Sequence, residues 1–363
     1  MLSNQVWQFY YQKGDFDLNL FSNLPEEILK KLKKEINFER PKIKSKQISN
    51  DGTIKWLLEL NDKNLIETVY IPSDNHATLC ISSQVGCTLN CKFCHTGIQP
   101  LVKNLSAHEI INQILIAKDE LKEWDKGKKI NNIVYMGMGE PFYNFENIKK
   151  SVEILKDING LNFSNKRITI STSGISPNIK KAAKEIGTYL ALSLHAPNNK
   201  IRDSIMPINK KYNIEDVINH CKEYAIENNE KIFIEYVLLK DVNDSEECAK
   251  QLSKIMSKFP CKLNLIQFNP WPGVKYKKAI SRGSGRLQRI SAQLQPAVAA
   301  AAQNVQQRRH VWPETANEPA VHFIDVPRSP SSADTVRLAV HEWPAGTGMN
   351  GGAAMPTLLF VHA

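Results

Sequence analysis

Between residues 77 and 268, short apolar runs alternate with longer segments whose apolar positions recur every three or four residues. The runs at 77–83, 132–138, 167–172, 189–195, 231–239 and 261–268 are short and mostly rich in Ile, Leu and Val, so they read as strands. The segments at 107–124, 146–156, 178–186, 214–227 and 245–258 each carry an apolar stripe and read as helices. Such alternation gives parallel strands joined by right-handed crossovers, hence an α/β class, either a barrel or an open sheet. In these folds ligands gather beyond the carboxyl ends of the strands.

Outside that span the pattern changes. Residues 1–72 form a small mixed region, with a helical stretch at 24–34 opened by Pro25 and a strand at 55–60 closed by Asn61-Asp62. Its lysines read as a solvated face, with Trp7, Tyr10 and Tyr11 nearby. At the other end the composition breaks near residue 278. The chain has 37 Lys and 3 Arg up to that point, then no Lys and 7 Arg, and the tail lacks Cys and Tyr. Two sequences of different origin joined at Lys278/Ala279 would produce this, by frameshift, recombination or assembly error; a linker with its own residue bias is the other reading. Segments 335–344 and 356–363 look like the opening strands of an α/β-hydrolase. No G-x-S-x-G turn follows them, so no hydrolase function is assigned.

The strand ends carry the chemistry. After the first run come Cys87, Cys91 and Cys94 at C-x3-C-x2-C spacing. A fully ligated 4Fe-4S cluster takes about four thiolates, so three on one loop leave one iron open to a small molecule. A structural zinc site is the competing reading, with Cys80 or His95 as a further ligand. It lacks a second knuckle, since Cys221, Cys248 and Cys261 are scattered singly. Later strand ends bring Gly137-Met-Gly-Glu140-Pro141, Ser171-Thr-Ser-Gly174, Ser193-Leu-His195-Ala196 and Phe268-Asn269-Pro270. Together these small and polar groups can ring a polar ligand beside the open iron.

Composition narrows the class. Among 363 residues, 42% are hydrophobic and 23% charged, which argues against disorder. No apolar run reaches the ~18 residues a membrane span needs, and Met1-Leu2-Ser3-Asn4 opens no secretory signal. Thiols spaced as metal ligands then imply a reducing cytoplasm. A net charge of +10 and a pI near 9.1 fit a polyanionic partner such as nucleic acid.

These motifs resemble a known family. Cys87, Cys91 and Cys94 resemble the cluster loop of radical S-adenosylmethionine (SAM) enzymes, and Gly139-Glu140-Pro141 their SAM amino-group motif. Residues 82–94, 135–141, 171–174, 192–197 and 208–212 are similar, in order, to the RlmN-type dual-specificity RNA methyltransferases, over about residues 5–278. The resemblance implies a partial (β/α)6 radical-SAM barrel at 73–278, a truncated accessory RNA-binding region at 1–72, and an unrelated, disordered or fused tail at 279–363. It implies methylation of adenine C2 in 23S rRNA and tRNA, with a 4Fe-4S cluster and SAM as cofactors. It further implies an external electron donor such as flavodoxin and a cytoplasmic monomer with no membrane association. Adenine C2 is electron-poor and cannot attack a methyl group as a nitrogen would, so a radical route is chemically apt.

Carried over by position, Cys87, Cys91 and Cys94 bind the cluster. Gly139, Glu140, Ser171, Ser193, Leu194, His195 and Asn269 contact SAM. Cys80 matches the cysteine that resolves the protein–RNA adduct, and Glu67 the proton acceptor; by residue type alone, Cys80 is a half-buried strand thiol and Glu67 an ordinary strand carboxylate. The pattern also fails in places. The family's methyl-carrying cysteine lies in a Cys-Gly context beyond the Asn-Pro element, yet no cysteine follows Cys261, and the helical segment expected before Gln5 is missing. The expectation is a chain that assembles the cluster and cleaves SAM without completing methylation. Alternatives are a methyltransferase acting at adenine C8, a non-catalytic RNA-binding remnant and a zinc-stabilised binding module.

Overall fold

The structure, a computed structural model, describes residues 2–14, 17, 25–35, 39–73, 76–127, 129–279, 320–327 and 335–342. Helix α1 (Leu2–Gln8) and α2 (Glu26–Glu35) precede three strands, β1 (Lys42–Ile48), β2 (Ile54–Glu59) and β3 (Leu65–Pro72). The repeating part begins at β4 (Ala77–Cys80) and a small pair, β5 (Gln84–Val85) with β6 (Lys103–Asn104). It continues as α3 (Ala107–Glu120), α4 (Glu123–Lys126), β7 (Asn132–Tyr135), α5 (Phe145–Lys156), β8 (Ile168–Thr172), α6 (Ser176–Glu185) and β9 (Tyr189–Ser193). Then follow α7 (Asn199–Ile205), α8 (Ile214–Asn228), β10 (Ile232–Leu238), α9 (Glu246–Met256) and β11 (Cys261–Gln267). Strands β12 (Ala320–Pro327) and β13 (Thr335–Glu342) pair antiparallel as a separate sheet.

One nine-stranded sheet holds the fold together, in the order β1-β2-β3-β4-β7-β8-β9-β10-β11. From β4 onward every pairing is parallel, which gives the parallel strands expected from the repeating pattern and the six strands of the partial barrel that the resemblance implies. Side-chain caps set several helix starts: Ser106 accepts the Glu109 N–H and closes a capping box, and Asn213 and Ser245 cap α8 and α9. On α3 the apolar stripe buries Ile110, Ile111, Ile114 and Leu115. Each such side chain contributes roughly 1.5–3 kcal/mol by leaving water. Helix α7 was not foreseen, because seven residues are too few to display a helical period.

The N-terminal strands join the same sheet. They build no sheet of their own: β3 pairs antiparallel with β4, Val69 opposite Cys80, so the sheet runs unbroken across the boundary expected after residue 72. Without β3, the N–H and C=O groups along that edge of β4 would be unpaired. The new edge is β1, exposed throughout, where Lys42, Lys44 and Lys46 discourage pairing with another chain.

Two cores result. The larger lies between sheet and helices, while Val69, Ile71, Cys80 and Val134, with Met136, form a small cluster of their own on the sheet's inner face. Among the described residues no helix is long and apolar enough to cross a membrane. In the tail, β13 falls where a strand was expected at 335–344; the strand expected at 356–363 lies outside the described residues.

Candidate active site

The ends of β4 and β7 are braided before the cysteines begin. Ser83 and Gln84 donate their N–H groups to Met138 O at 2.8 and 3.1 Å, and Gly137 N–H returns to Ile81 O at 3.0 Å. Ser82 Oγ takes the Met138 N–H at 3.0 Å and donates to Glu67 O at 2.6 Å. The β5–β6 pair then closes the loop that carries the thiols. Gly86 turns at φ +76°, and a Cβ there would lie 2.0 Å from Pro100 O, so only glycine fits. Inside the loop Cys87 N–H donates to Gln99 O, Cys94 N–H to Cys91 O, and Lys92 N–H to Ile205 O at the end of α7.

This folding brings the three loop thiols into one electrostatic neighbourhood. Burial pushes the Cys87 thiol up to about 11 and Cys91 well above its ordinary value, and charge on Cys94 raises both further. Cys94 is raised as well, chiefly by burial. Such thiols stay protonated until a metal centre displaces the proton. Among the described residues no three His, Cys, Asp or Glu side chains converge on a point for a single ion. Cubane thiolates each take a separate iron, so a cluster asks for three soft donors rather than one shared point, and three free thiols on one loop meet that requirement. Neither candidate fourth zinc ligand points to a closed site: Cys80 packs with Val69, Ile71 and Val134, and the His95 ring packs edge-on against Trp271 with centroids 5.3 Å apart.

Around the thiols stand the other strand ends. Glu140 is 2% exposed; its carboxylate accepts the Phe142 and Ser173 N–H groups at 3.1 and 2.8 Å. Burial nonetheless holds its pKa above the usual carboxylate range. Ser171 and Ser193, on adjacent parallel strands, bring their hydroxyls to 3.3 Å. Leu194 is buried and shares its N–H between Leu192 O and Glu235 O. His195 sits at φ +55°, with Nδ1 accepting the Val237 N–H at 3.1 Å and its carbonyl accepting from Asn243. Burial drives this imidazole down to about 3, so it is neutral near pH 7. Asn269 is exposed beyond β11, and its segment is tied to the cysteine loop by Trp271 Nε1, which donates to Phe93 O at 3.0 Å.

Glu67 and Cys80 lie apart from the loop. Glu67 pairs with Lys55 at 3.1 Å. The Cys80 thiol is buried and pushed up to about 12, first by desolvation and further by the charge of Glu67. A cavity of about 570 Å³ touches Thr88 and Leu89 of the loop together with Tyr143, Lys210 and Lys211. It reaches none of the strand-end serines, so we give it no part in SAM binding.

Three groups escaped the sequence reading. Gln84 Oε1 accepts the Glu140 N–H at 2.8 Å. Glu235, opposite Ser193 in register, is 1% exposed and accepts from Asn264 Nδ2 at 2.8 Å. Arg202 is fully buried beneath the strand ends. Two signals were available: an acid inside the apolar run Ile-Phe-Ile-Glu-Tyr-Val, and one of only three arginines in a lysine-dominated stretch.

Comparison with known proteins adds independent findings. The family model of the radical SAM superfamily matches residues 81–252. A dual-specificity RNA methyltransferase RlmN from Sinorhizobium fredii (strain NBRC 101917 / NGR234) is 48% identical over 295 residues, covering 76% of this chain and 72% of that protein. Another, from Rhodospirillum rubrum, is 49% identical over 276 residues, covering 75% of this chain and 64% of its own length. Among solved structures, the crystal structure of a radical SAM methyltransferase from Sphaerobacter thermophilus gives a TM-score of 0.76 at 35% identity, covering 82% of this chain and 86% of that one.

Proposed function

This chain belongs to the RlmN family of radical SAM RNA methyltransferases, and from that membership we propose that its chemistry is directed at adenine C2 in 23S rRNA and tRNA. The observation that carries the reading is the grouping of three loop thiols with Glu140, Ser171 and Ser193 at successive strand ends, while Glu67 and Cys80 stand as close neighbours on β3 and β4. Cys87, Cys91 and Cys94 would hold the 4Fe-4S cluster, which when bound supplies the electron for reductive cleavage of SAM.

The chain's own residues do the rest. The Gly139–Glu140 turn offers backbone carbonyls and a buried carboxyl to a cationic amino group. Ser171 and Ser193 offer hydroxyls at one level of the barrel, and Leu194 and His195 hold the backbone there rigid. Asn269 supplies an exposed amide from just beyond β11. Glu67, on the strand next to Cys80, would accept a proton, and Cys80 keeps its own proton until a base removes it. The N-terminal region with strands β1–β3, where exposed β1 presents Lys42, Lys44 and Lys46, would dock the RNA, and an acidic flavodoxin-like carrier would deliver electrons.

A polypeptide of this sequence has no cysteine after Cys261, and Cys261 is buried at the start of β11 with its thiol donating toward Met256 O. Among the described residues no thiol stands beyond the Asn269-Pro270 element to carry a methyl group as a thioether and leave by disulfide exchange. The test is anaerobic reconstitution with iron and sulfide, then incubation with SAM, reductant and RNA. We expect 5'-deoxyadenosine without methylated RNA. Formation of 2-methyladenosine would overturn the incompleteness, 8-methyladenosine the assignment to C2, and RNA binding without iron uptake or SAM cleavage the enzymatic reading itself.

A further inference from the structure

Arg202 has five N–H donors, and all five are taken. Nε donates to Leu194 O at 3.0 Å, Nη1 to Asn209 Oδ1 at 3.1 Å and Tyr212 O at 3.5 Å, and Nη2 to Ser173 O at 2.7 Å and Ser193 O at 3.2 Å. Every acceptor is neutral. The guanidinium stays charged in proteins, and an isolated buried charge is costly. Its acidic neighbours do not pair with it. Asp203 is one amide removed, accepting from Asn209 Nδ2 at 2.7 Å, and Glu140 accepts from the N–H groups of Phe142 and Ser173. Cys221, close by, is a buried thiol that burial keeps protonated.

The cysteine loop is fastened over this charge. Lys92 N–H bonds Ile205 O on the helix that bears Arg202, at 2.8 Å, and the Phe93 ring packs edge-on against His195 with centroids 5.0 Å apart. Cys91 immediately precedes both, and Arg202 works against burial in setting its thiol. Three thiolates on a 4Fe-4S core leave it net negative, and reduction adds a further electron. Net charge is among the quantities that set cluster potentials.

We infer that Arg202 is the buried counter-charge of the cluster, held without an ion pair so that its field falls on the anionic centre beside Cys91 and makes reduction easier. It is a positioning residue as well, gathering the carbonyls of Ser173, Ser193 and Leu194. With every donor occupied it has none left for SAM. This rests on the reading of Cys87, Cys91 and Cys94 as cluster thiolates.

The test is the midpoint potential of the reconstituted cluster, followed by EPR, in the wild type, Arg202→Lys, Arg202→Gln and the double exchange Asp203→Asn with Asn209→Asp. The exchange keeps the net charge and the amide–carboxylate bond but sets a carboxylate directly on the guanidinium. We expect a more negative potential in Arg202→Gln and in the exchange, with Arg202→Lys between them and the wild type. Unmoved potentials in the folded variants would overturn the inference, even if SAM affinity fell, because that pattern is purely structural. If Arg202→Gln fails to fold, the exchange decides alone, since it leaves Arg202 in place. Absence of a cluster in the wild type would instead defeat the underlying reading.

Discussion

Gln84 and Gly139 lock the cysteine loop to the turn after β7. Gln84 Oε1 accepts the N–H of Glu140 at 2.8 Å, while a Cβ on Gly139 would stand 2.5 Å from Gln84 Cβ. Gly139 also lies at φ +98°, which side chains rarely adopt. The Gly139 Cα therefore packs directly on the Gln84 side chain at this turn.

Gly139→Ala should suffer twice, from the positive φ and from collision with Gln84. We expect a loss of about 1–3 kcal/mol, seen as a lower thermal midpoint, together with weakened SAM binding by equilibrium dialysis. An unchanged midpoint and affinity would show that the turn has room the geometry denies.

Apart from Cys80, the cysteines should divide into two classes. Replacing Cys87, Cys91 or Cys94 with Ala should abolish stoichiometric iron and sulfide uptake while leaving the far-ultraviolet circular dichroism intact. Cys221, Cys248 and Cys261 are buried away from the loop, on α8, α9 and β11, so their Ala variants should keep the iron. Their cost is core packing, roughly 1 kcal/mol each. Iron lost from the Cys221→Ala protein would contradict the division.

Glu235 should make the apoprotein less stable as pH rises. Burial lifts its carboxyl to about 8 from 4.5, and Oε1 has no hydrogen-bond partner among the described residues. The folded state thus binds a proton that the unfolded chain releases, so this contribution is full below pH 4.5 and is lost as pH climbs toward 8. Glu235→Gln should match the wild type at low pH and melt higher at pH 8–9. Equal melting temperatures across that range would refute the assignment.

His195 should act in the opposite direction. Its folded value, about 3 against 6.5, means that the unfolded chain binds the proton first, and stability falls as pH drops from 6.5 toward 3. Asn tolerates the left-handed backbone and can accept the Val237 N–H, so His195→Asn should fold and lose this acid limb. His195→Val meets strain and loses the acceptor, and should be destabilised by a few kcal/mol. A persistent acid limb in His195→Asn would assign it to other groups.

The order of the elements and the kind of chemistry were legible because they rest on local spacing. Six apolar runs and five amphipathic segments announce the parallel strands and helices, and three cysteines within eight residues announce a shared site whatever the fold. Glycines in the turn after β7 likewise signal a close approach, though not what approaches. Long-range pairing is different, since a strand carries no mark of its partner. That β3 meets β4 antiparallel, and so merges the N-terminal strands with the barrel, follows from satisfying an edge visible only once the sheet exists. Arg202 shows the same limit: its acceptors belong to the ends of two strands and to the turns beyond them, and they converge only when parallel register brings those ends to one level. Spacing along the chain determined which donors are present, while tertiary packing decided which of them are buried, charged and in contact.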